Sequence, residues 1–172
     1  MIEQHWPRIA GLHCQADGGI AAVWLAHDKD ADCVHLYDSC LFRREVLAVV
    51  ADGIKARGGW VPIAWAPGGK DIVERLLERG LNTLTEPAKD SPALAEAASL
   101  EIWERMRSGR FKAARQLTEW LDEFQAFGRR EGQVPLDGYP LMSATRHAAS
   151  MLSWAMRKAD RGRRNYPETA IV

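Results

Sequence analysis

Two adjoining stretches decide the fold: Ile20–Tyr37 (IAAVWLAHDKDADCVHLY) and Leu41–Trp65 (LFRREVLAVVADGIKARGGWVPIAW). Ile20–Ala26 is an unbroken apolar run, the pattern of a strand buried on both faces. His27–Asp32 is polar and turn-like. Cys33–Tyr37 then alternates, with Val34 and Leu36 on one face, and reads as the return strand of a hairpin. A short apolar run at Ile9–Cys14 precedes it, so the chain should open as a three-stranded antiparallel meander. The period then changes. Val46, Leu47, Val49, Val50 and Ile54 recur at helical spacing, predicting a helix over Leu41–Arg57 that Gly58 and Gly59 end. Trp60–Trp65 reads as a strand parallel to the first, because a helix precedes it.

The same reading extends to the C-terminus. Ala66–Gly69 is a loop, Asp71–Arg79 a short helix capped by Gly80, and Leu81–Leu84 one further strand. Ala93–Arg107 is a helix with Leu94, Leu100, Ile102, Trp103 and Met106 on its apolar faces, closed by Gly109. Phe111 begins a short extended piece. Ala113–Phe127 places Leu117, Trp120, Leu121, Phe124 and Phe127 at helical spacing. Gly128–Pro140 is a polar connection with room for a small hairpin, and Ser143–Arg157 is the last helix. Core packing accounts for Trp103, Trp120 and Trp154. The expected architecture is α/β: a mixed sheet with three antiparallel strands, then parallel strands, and helices on both faces. Residues 1–160 form one domain, and residues 161–172 a loose basic tail.

Composition narrows the function classes. Lysine plus arginine equals aspartate plus glutamate at 23 each, so no whole-chain attraction to nucleic acid exists and any such surface is a local patch. Three cysteines, Cys14, Cys33 and Cys40, without regular spacing argue against a disulfide framework and for reduced thiols. The opening MIEQHWPRIAG has no apolar core of a secretory leader, and no run is long enough to span a membrane. A cytoplasmic location and no membrane partner are expected. No oligomeric state is implied.

Small constellations carry little. Gly68-Gly69-Lys70 lacks the spacing of a phosphate loop. His13, Cys14, Cys33 and His35 suggest zinc, but His13 and Cys14 are strand neighbours pointing to opposite faces. Cys14 has no sequence pattern of a nucleophile. Asp28, Asp30 and Asp32 alternate as in a calcium loop but lack its glycine and distal glutamate, so a turn is expected. Basic residues gather at Arg105, Arg107, Arg110, Lys112 and Arg115, at Arg129 and Arg130, and at Arg157, Lys158, Arg161, Arg163 and Arg164. They read as solvated surface or, for Arg110, Lys112, Arg115, Arg157 and Arg161, as contacts to DNA phosphates.

Five segments in order, WPRIAGLH (6–13), AAVWLAHDKDAD (21–32), IKARGGWVPIAW (54–65), GRFKAA (109–114) and LMSATRHA (141–148), resemble the C-terminal nuclease domain of phage terminase large subunits. The resemblance covers nearly the whole chain, which opens at the nuclease-like strand rather than at the family's ATPase. It implies a ribonuclease H-like fold, an origin in a phage or prophage, and a link to DNA packaging. It also implies aspartates holding Mg²⁺ or Mn²⁺, because phosphodiester hydrolysis needs metal charge at the attacking and leaving oxygens and hard cations take oxygen ligands.

This chain departs from that pattern at each acidic position. The first aspartate of the family corresponds to His13, the second to about Gly68, and the third to Tyr139 and Pro140. The expectation is a vestigial site, no metal cofactor, and a nuclease-like pseudoenzyme that binds DNA or a protein. An active endonuclease is the alternative, with Mg²⁺ or Mn²⁺ held by relocated ligands such as His13, Asp71 and Asp137; Asp17 is a further nearby acid. A third expectation is a phage-encoded decoy that blocks a phage or host protein. Asp71 has a purely structural explanation too, as a carboxylate at a helix start.

Overall fold

Five strands form one mixed sheet in the order β4-β1-β2-β3-β5. In the computed structural model, which describes residues 2–158, the chain runs β1 (Arg8–Cys14), β2 (Ile20–Asp28), β3 (Cys33–Phe42), α1 (Leu47–Ala56), β4 (Ile63–Ala64), α2 (Lys70–Glu78), α3 (Pro92–Arg107), β5 (Phe111–Ala113), α4 (Thr118–Ala126) and α5 (Pro140–Ser150). The first three strands are the expected antiparallel meander, with Arg8 opposite Ala26 and Ile20 opposite Phe42. β4 joins β1 in parallel at one edge and β5 joins β3 in parallel at the other.

The unbroken apolar run of β2 is explained by burial on both sides of the sheet. Ile9, Ala21, Val23, Leu25, Val34 and Leu36 face a core closed by α3, α4 and α5, with Trp120, Leu141, Ala144 and Ala148 at its centre. Ala10, Leu12, Ile20, Ala22 and Trp24 face the other core, closed by Val50 and Ile54 of α1 and by Val73 and Leu76 of α2. The two sets alternate along each strand, as the pleat requires.

α5 crosses the sheet closely because Gly11 has no side chain. A Cβ there would overlap the carbonyl of Ala144 and sit 2.9 Å from the Ala148 Cβ. The N-terminus of α5 is served by Glu123 of α4, whose carboxylate accepts from the Met142 backbone N–H at 2.8 Å. Trp120 Nε1 donates to Thr145 Oγ1 at 3.0 Å, and Thr145 donates on to the Leu141 carbonyl at 2.7 Å, tying α4 to α5.

Several element boundaries differ from the sequence expectation. The helix expected from Leu41 starts only at Leu47, because residues up to Phe42 continue β3, beyond an irregularity at Trp24/Leu25 of its partner β2. Of Trp60–Trp65 only Ile63 and Ala64 pair with β1; Pro62 has no N–H to give and offers its carbonyl to Ala10 instead. Leu81–Leu84 contributes a single bridge, Thr83 to Ile63. Residues 111–113 pair with β3, so the next helix begins at Thr118 rather than Ala113. α5 starts three residues earlier than expected, with Pro140 in its first turn, and ends at Ser150; Met156 bridges Arg8 instead of continuing the helix. Trp103 and Trp154 are each 51% exposed, so of the three tryptophans assigned to the core only Trp120 is buried. Arg130 bridges Gln133, the hairpin-like turn expected in 128–140. The expected tail, 161–172, lies outside the described residues.

Candidate functional site

β1 ends at Cys14 beside the loop that follows β4, and between them opens a cleft of about 380 Å³. His13, Cys14, Gly68, Gly69, Asp90 and Asp137 line it. His147 of α5 underlies it, with its ring centroid 5.6 Å from that of His13. Parallel pairing of β4 with β1 brings the post-β4 loop to the end of β1, and the close crossing of α5 at Gly11 brings His147 beneath.

His147 is 2% exposed. Its Nδ1 lies 3.0 Å from the Leu12 carbonyl, and its Nε2 lies 3.5 Å from Asp90 Oδ2, long for a hydrogen bond. The Asp90 carboxyl is held below the usual carboxylate range, first by its interaction with His147, against the opposing effect of burial, and further by Arg146 and His13. His13 is held neutral: burial, with the nearby charges of His147 and Arg146, brings its pKa down to about 4 against the pull of Asp90 and Asp137. Arg146 is itself 3% exposed. It donates to the Pro135 carbonyl at 3.4 Å and to Ser143 Oγ at 3.2 Å, and its Nε finds no partner among the described residues. A guanidinium stays protonated even so.

The positions singled out in the sequence are thus partly brought together. His13, Gly68 and Asp137 share the cleft. Tyr139 and Pro140 do not line it: the Tyr139 hydroxyl donates to the Ala126 carbonyl and accepts from Arg130, both at 3.1 Å, and Pro140 opens α5. Asp71 is exposed in the first turn of α2 and is not among the lining residues of the cleft. Asp17 accepts from the Gly19 N–H at 2.9 Å, a turn bond. Asp90, Arg146 and His147 were missed. A run of polar residues, Ser143, Thr145, Arg146 and His147, inside an otherwise apolar helix was a usable signal for the last two; Asp90 sits in a loop without a pattern.

The donor set does not suit a pair of hard divalent ions. Such ions need several carboxylate oxygens on rigid elements. Here a neutral imidazole stands on β1, a glycine stands in the post-β4 loop, and Asp90 already faces His147 and Arg146. Among the described residues no group of three or more His, Cys, Asp or Glu is poised to hold a metal. The zinc set fails as well. Cys33 and His35 lie near the start of β3, at the other end of the sheet from His13 and Cys14; His35 stacks on Trp6 and the Cys33 thiol faces the Gly109 carbonyl. Burial pushes the Cys14 thiol up to about 11, opposite to what a nucleophile needs. Asp28 accepts from the N–H groups of Asp30 and Ala31, confirming the turn.

The basic cluster at β5 is largely neutralised. Arg110 and Arg105 both pair with Asp32, at 2.8 and 3.1 Å, and Arg107 pairs with Glu104. Arg105 first, then His27, with a smaller part from Arg110, bring the Asp32 carboxyl down to about 2. Lys112 and Arg115 are exposed and have no ion pair among the described residues, and Arg157 is exposed. Arg161 falls outside them.

No protein-family model matches the chain, and no curated protein matches it in sequence. Solved structures do match. The nuclease domain of the P22 large terminase is 20% identical, with a TM-score of 0.82 over 91% of this chain and 87% of that one. The nuclease domain of the large terminase (g2p) of bacteriophage SPP1, with bound Mn, is 17% identical, with a TM-score of 0.67 over 84% and 86%. The large terminase nuclease of thermophilic phage G20c is 17% identical, with a TM-score of 0.64 over 86% and 83%. Structures of the last carry zinc, cobalt or magnesium. The mixed sheet, its strand order and the helices on both faces are therefore the ribonuclease H-like fold of phage large-terminase nuclease domains.

Proposed function

We propose that this chain is a terminase-nuclease-type domain, of phage or prophage origin and cytoplasmic, whose cleft no longer performs metal-dependent cleavage and which acts by binding DNA. One observation carries this reading. Where two-metal chemistry needs carboxylates, the cleft presents a neutral His13 and the bare Gly68, and the nearby Asp90 faces His147 Nε2 at 3.5 Å within the field of Arg146. Lys112, Arg115 and Arg157, exposed and without an ion pair among the described residues, favour DNA as the partner, in a fold shared with phage terminase nuclease domains. No helix of the described chain is long and apolar enough to cross a membrane.

A second reading has its own observation. Asp90 and Asp137 line the same cleft as His13, so an endonuclease using Mg²⁺ or Mn²⁺ with relocated ligands has two carboxylates to draw on. The test that separates the two is Mn²⁺ binding by calorimetry, with supercoiled plasmid followed in the same buffer. The binding reading expects no heat of Mn²⁺ binding, no nicking, and salt-dependent retention on DNA. Nicking that Asp90→Asn and Asp137→Asn abolish would establish the endonuclease instead. Absence of both nicking and DNA retention would turn attention to a protein target, as in a decoy.

A further inference from the structure

At the opposite end of β1 from the cleft, a second pocket of about 280 Å³ lies between the N-terminal segment, the end of α1 and the last described residues. Its lining includes Gln4, Arg8, Arg57, Trp60 and Lys158, and no carboxylate among the described residues. We propose that this pocket is a binding site for a phosphate group, in the first instance one of a DNA backbone. In that form the proposal rests on the DNA-binding reading above; as a site for the oxyanion itself it does not.

Arg8 is fixed before any ligand arrives. Its backbone exchanges two hydrogen bonds with Met156, at 2.7 and 3.0 Å, and its guanidinium lies 5.3 Å from the Tyr37 ring centroid and 5.7 Å from that of Trp60. Stacking alone would account for a guanidinium there. It does not account for the Arg8 Nε, which is buried without a hydrogen-bond partner among the described residues. Arg57 is anchored as firmly: Nε donates to Asp38 at 3.0 Å, Nη1 donates to the Gly53 carbonyl at 2.9 Å, and the group lies over Trp24. Its Nη2 has no protein partner among the described residues. Asp38 offsets one positive charge, so Arg8 and Lys158 leave the pocket with a net positive balance.

The end of α1 points its carbonyls this way, which would repel an anion. The repulsion is reduced, because the N–H groups of Arg57 and Gly58 engage the Ile54 and Lys55 carbonyls and Arg57 engages that of Gly53. The Arg8 guanidinium and the remaining Nη2 of Arg57, held in place beside the exposed Lys158, suit a tetrahedral oxyanion, which accepts charge-assisted bonds from several directions. The sequence continues from Arg157 as RKADRGRR, with three further arginines after Lys158 against the single acid Asp160. The seven residues of β1 put this pocket about 20 Å from the cleft, far enough for the two to act separately.

The test uses the ¹⁵N-labelled full chain and follows the Trp60 indole N–H and the Gly58 amide. Sodium phosphate is titrated against sodium chloride at matched ionic strength, and a short DNA duplex is titrated in parallel. Saturable phosphate-specific shifts at both groups are expected, weakened about tenfold or more by Arg8→Gln and by Lys158→Gln. Lys158 is exposed, so K158Q keeps the site testable should R8Q fail to fold. The duplex shifting the same groups identifies DNA as the source; phosphate alone doing so identifies a small phosphorylated ligand. Shifts that chloride reproduces, or that K158Q leaves unchanged, overturn the site. A duplex that binds without touching Trp60 or Gly58 overturns the DNA form of this proposal while leaving the DNA-binding reading intact.

Discussion

His147 bridges two parts of the chain that sequence leaves far apart: its Nδ1 sits 3.0 Å from the carbonyl of Leu12, and its Nε2 faces Asp90 across 3.5 Å. Replacing it with leucine leaves a buried carbonyl without its donor and Asp90 without its neighbour. A loss of about 2–4 kcal/mol is expected from urea unfolding at pH 7. Asp90→Asn should cost less, about 1 kcal/mol, because Asp90 is partly open to solvent and screened. The sign of its pH dependence is set by its lowered pKa. The stability Asp90 contributes is present above the ordinary value of 3.8 and is lost as pH falls through the lowered folded value, so the difference between wild type and D90N should close in strong acid.

His13 should make the protein acid-sensitive in a higher window. Its folded pKa of about 4 lies below the ordinary 6.5, so between these values the unfolded chain binds the proton and the folded chain does not. Stability therefore rises with pH across that window. From pH 7 to pH 5 the contribution lost is about 2 kcal/mol. Urea midpoints measured at the two pH values should separate in wild type and nearly coincide in His13→Asn. An equal separation in both would remove His13 as the source.

The meander and the two-sided burial of β2 were legible because residues 20–36 carry the pattern on their own. Several of the missed boundaries share one cause: long-range pairing overrode local period. Leu41 and Phe42 look helical beside Val46 and Leu47, yet they extend β3 because β2 is long enough to pair with them. The cleft was half legible. His13 and Gly68 come together because β1, which carries His13 near its end, pairs in parallel with β4, which Gly68 follows. Asp90 could not be found, since nothing in a loop's composition says where it returns. Tyr139 turned away because its hydroxyl is satisfied at Ala126 and Arg130 rather than in the cleft.

Gly11→Ala should be among the most damaging single-methyl changes in the chain. The added Cβ meets the Ala144 backbone carbonyl, which cannot rotate aside as a side chain would. Either α5 lifts from the sheet or β1 bends, and both open the core around Ala144 and Ala148. A loss of about 3 kcal/mol or more is expected, visible as a lower thermal midpoint. Gly68→Ala is the control: its Cβ would meet nothing within 4 Å, and stability should change little.

Charge pairing ranks the arginines and lysines as DNA contacts. Arg110 is already held by Asp32, whereas Lys112 and Arg115 are exposed without an ion pair among the described residues. Lys112→Gln with Arg115→Gln should therefore reduce the dependence of log K on log salt by about 1–2, and Arg110→Gln by less. Fluorescence anisotropy of a labelled duplex over a range of salt measures both. Equal effects of all three would mean that the pair with Asp32 opens when DNA binds.

The proposed loss of metal chemistry can be tested by reversal. Gly68 lines the cleft, and a side chain there has open space before it, so Gly68→Asp adds a carboxylate without a clash. His13→Asp adds a second on rigid β1, and Asp137 already stands at the rim. Hard divalent ions bind where such oxygens converge. H13D/G68D should thus gain Mn²⁺ binding by calorimetry that the wild-type chain lacks. Arg146 stays beneath the cleft in this variant and opposes the metal charge, so adding Arg146→Gln should strengthen the gain. A wild-type chain that already binds Mn²⁺ as tightly as H13D/G68D would show that Asp90 and Asp137 suffice, and that the cleft is a working one. A double variant that binds no better than an empty wild-type cleft would show that the spacing of β1 and the post-β4 loop, and not residue identity alone, has drifted away from the metal-binding arrangement.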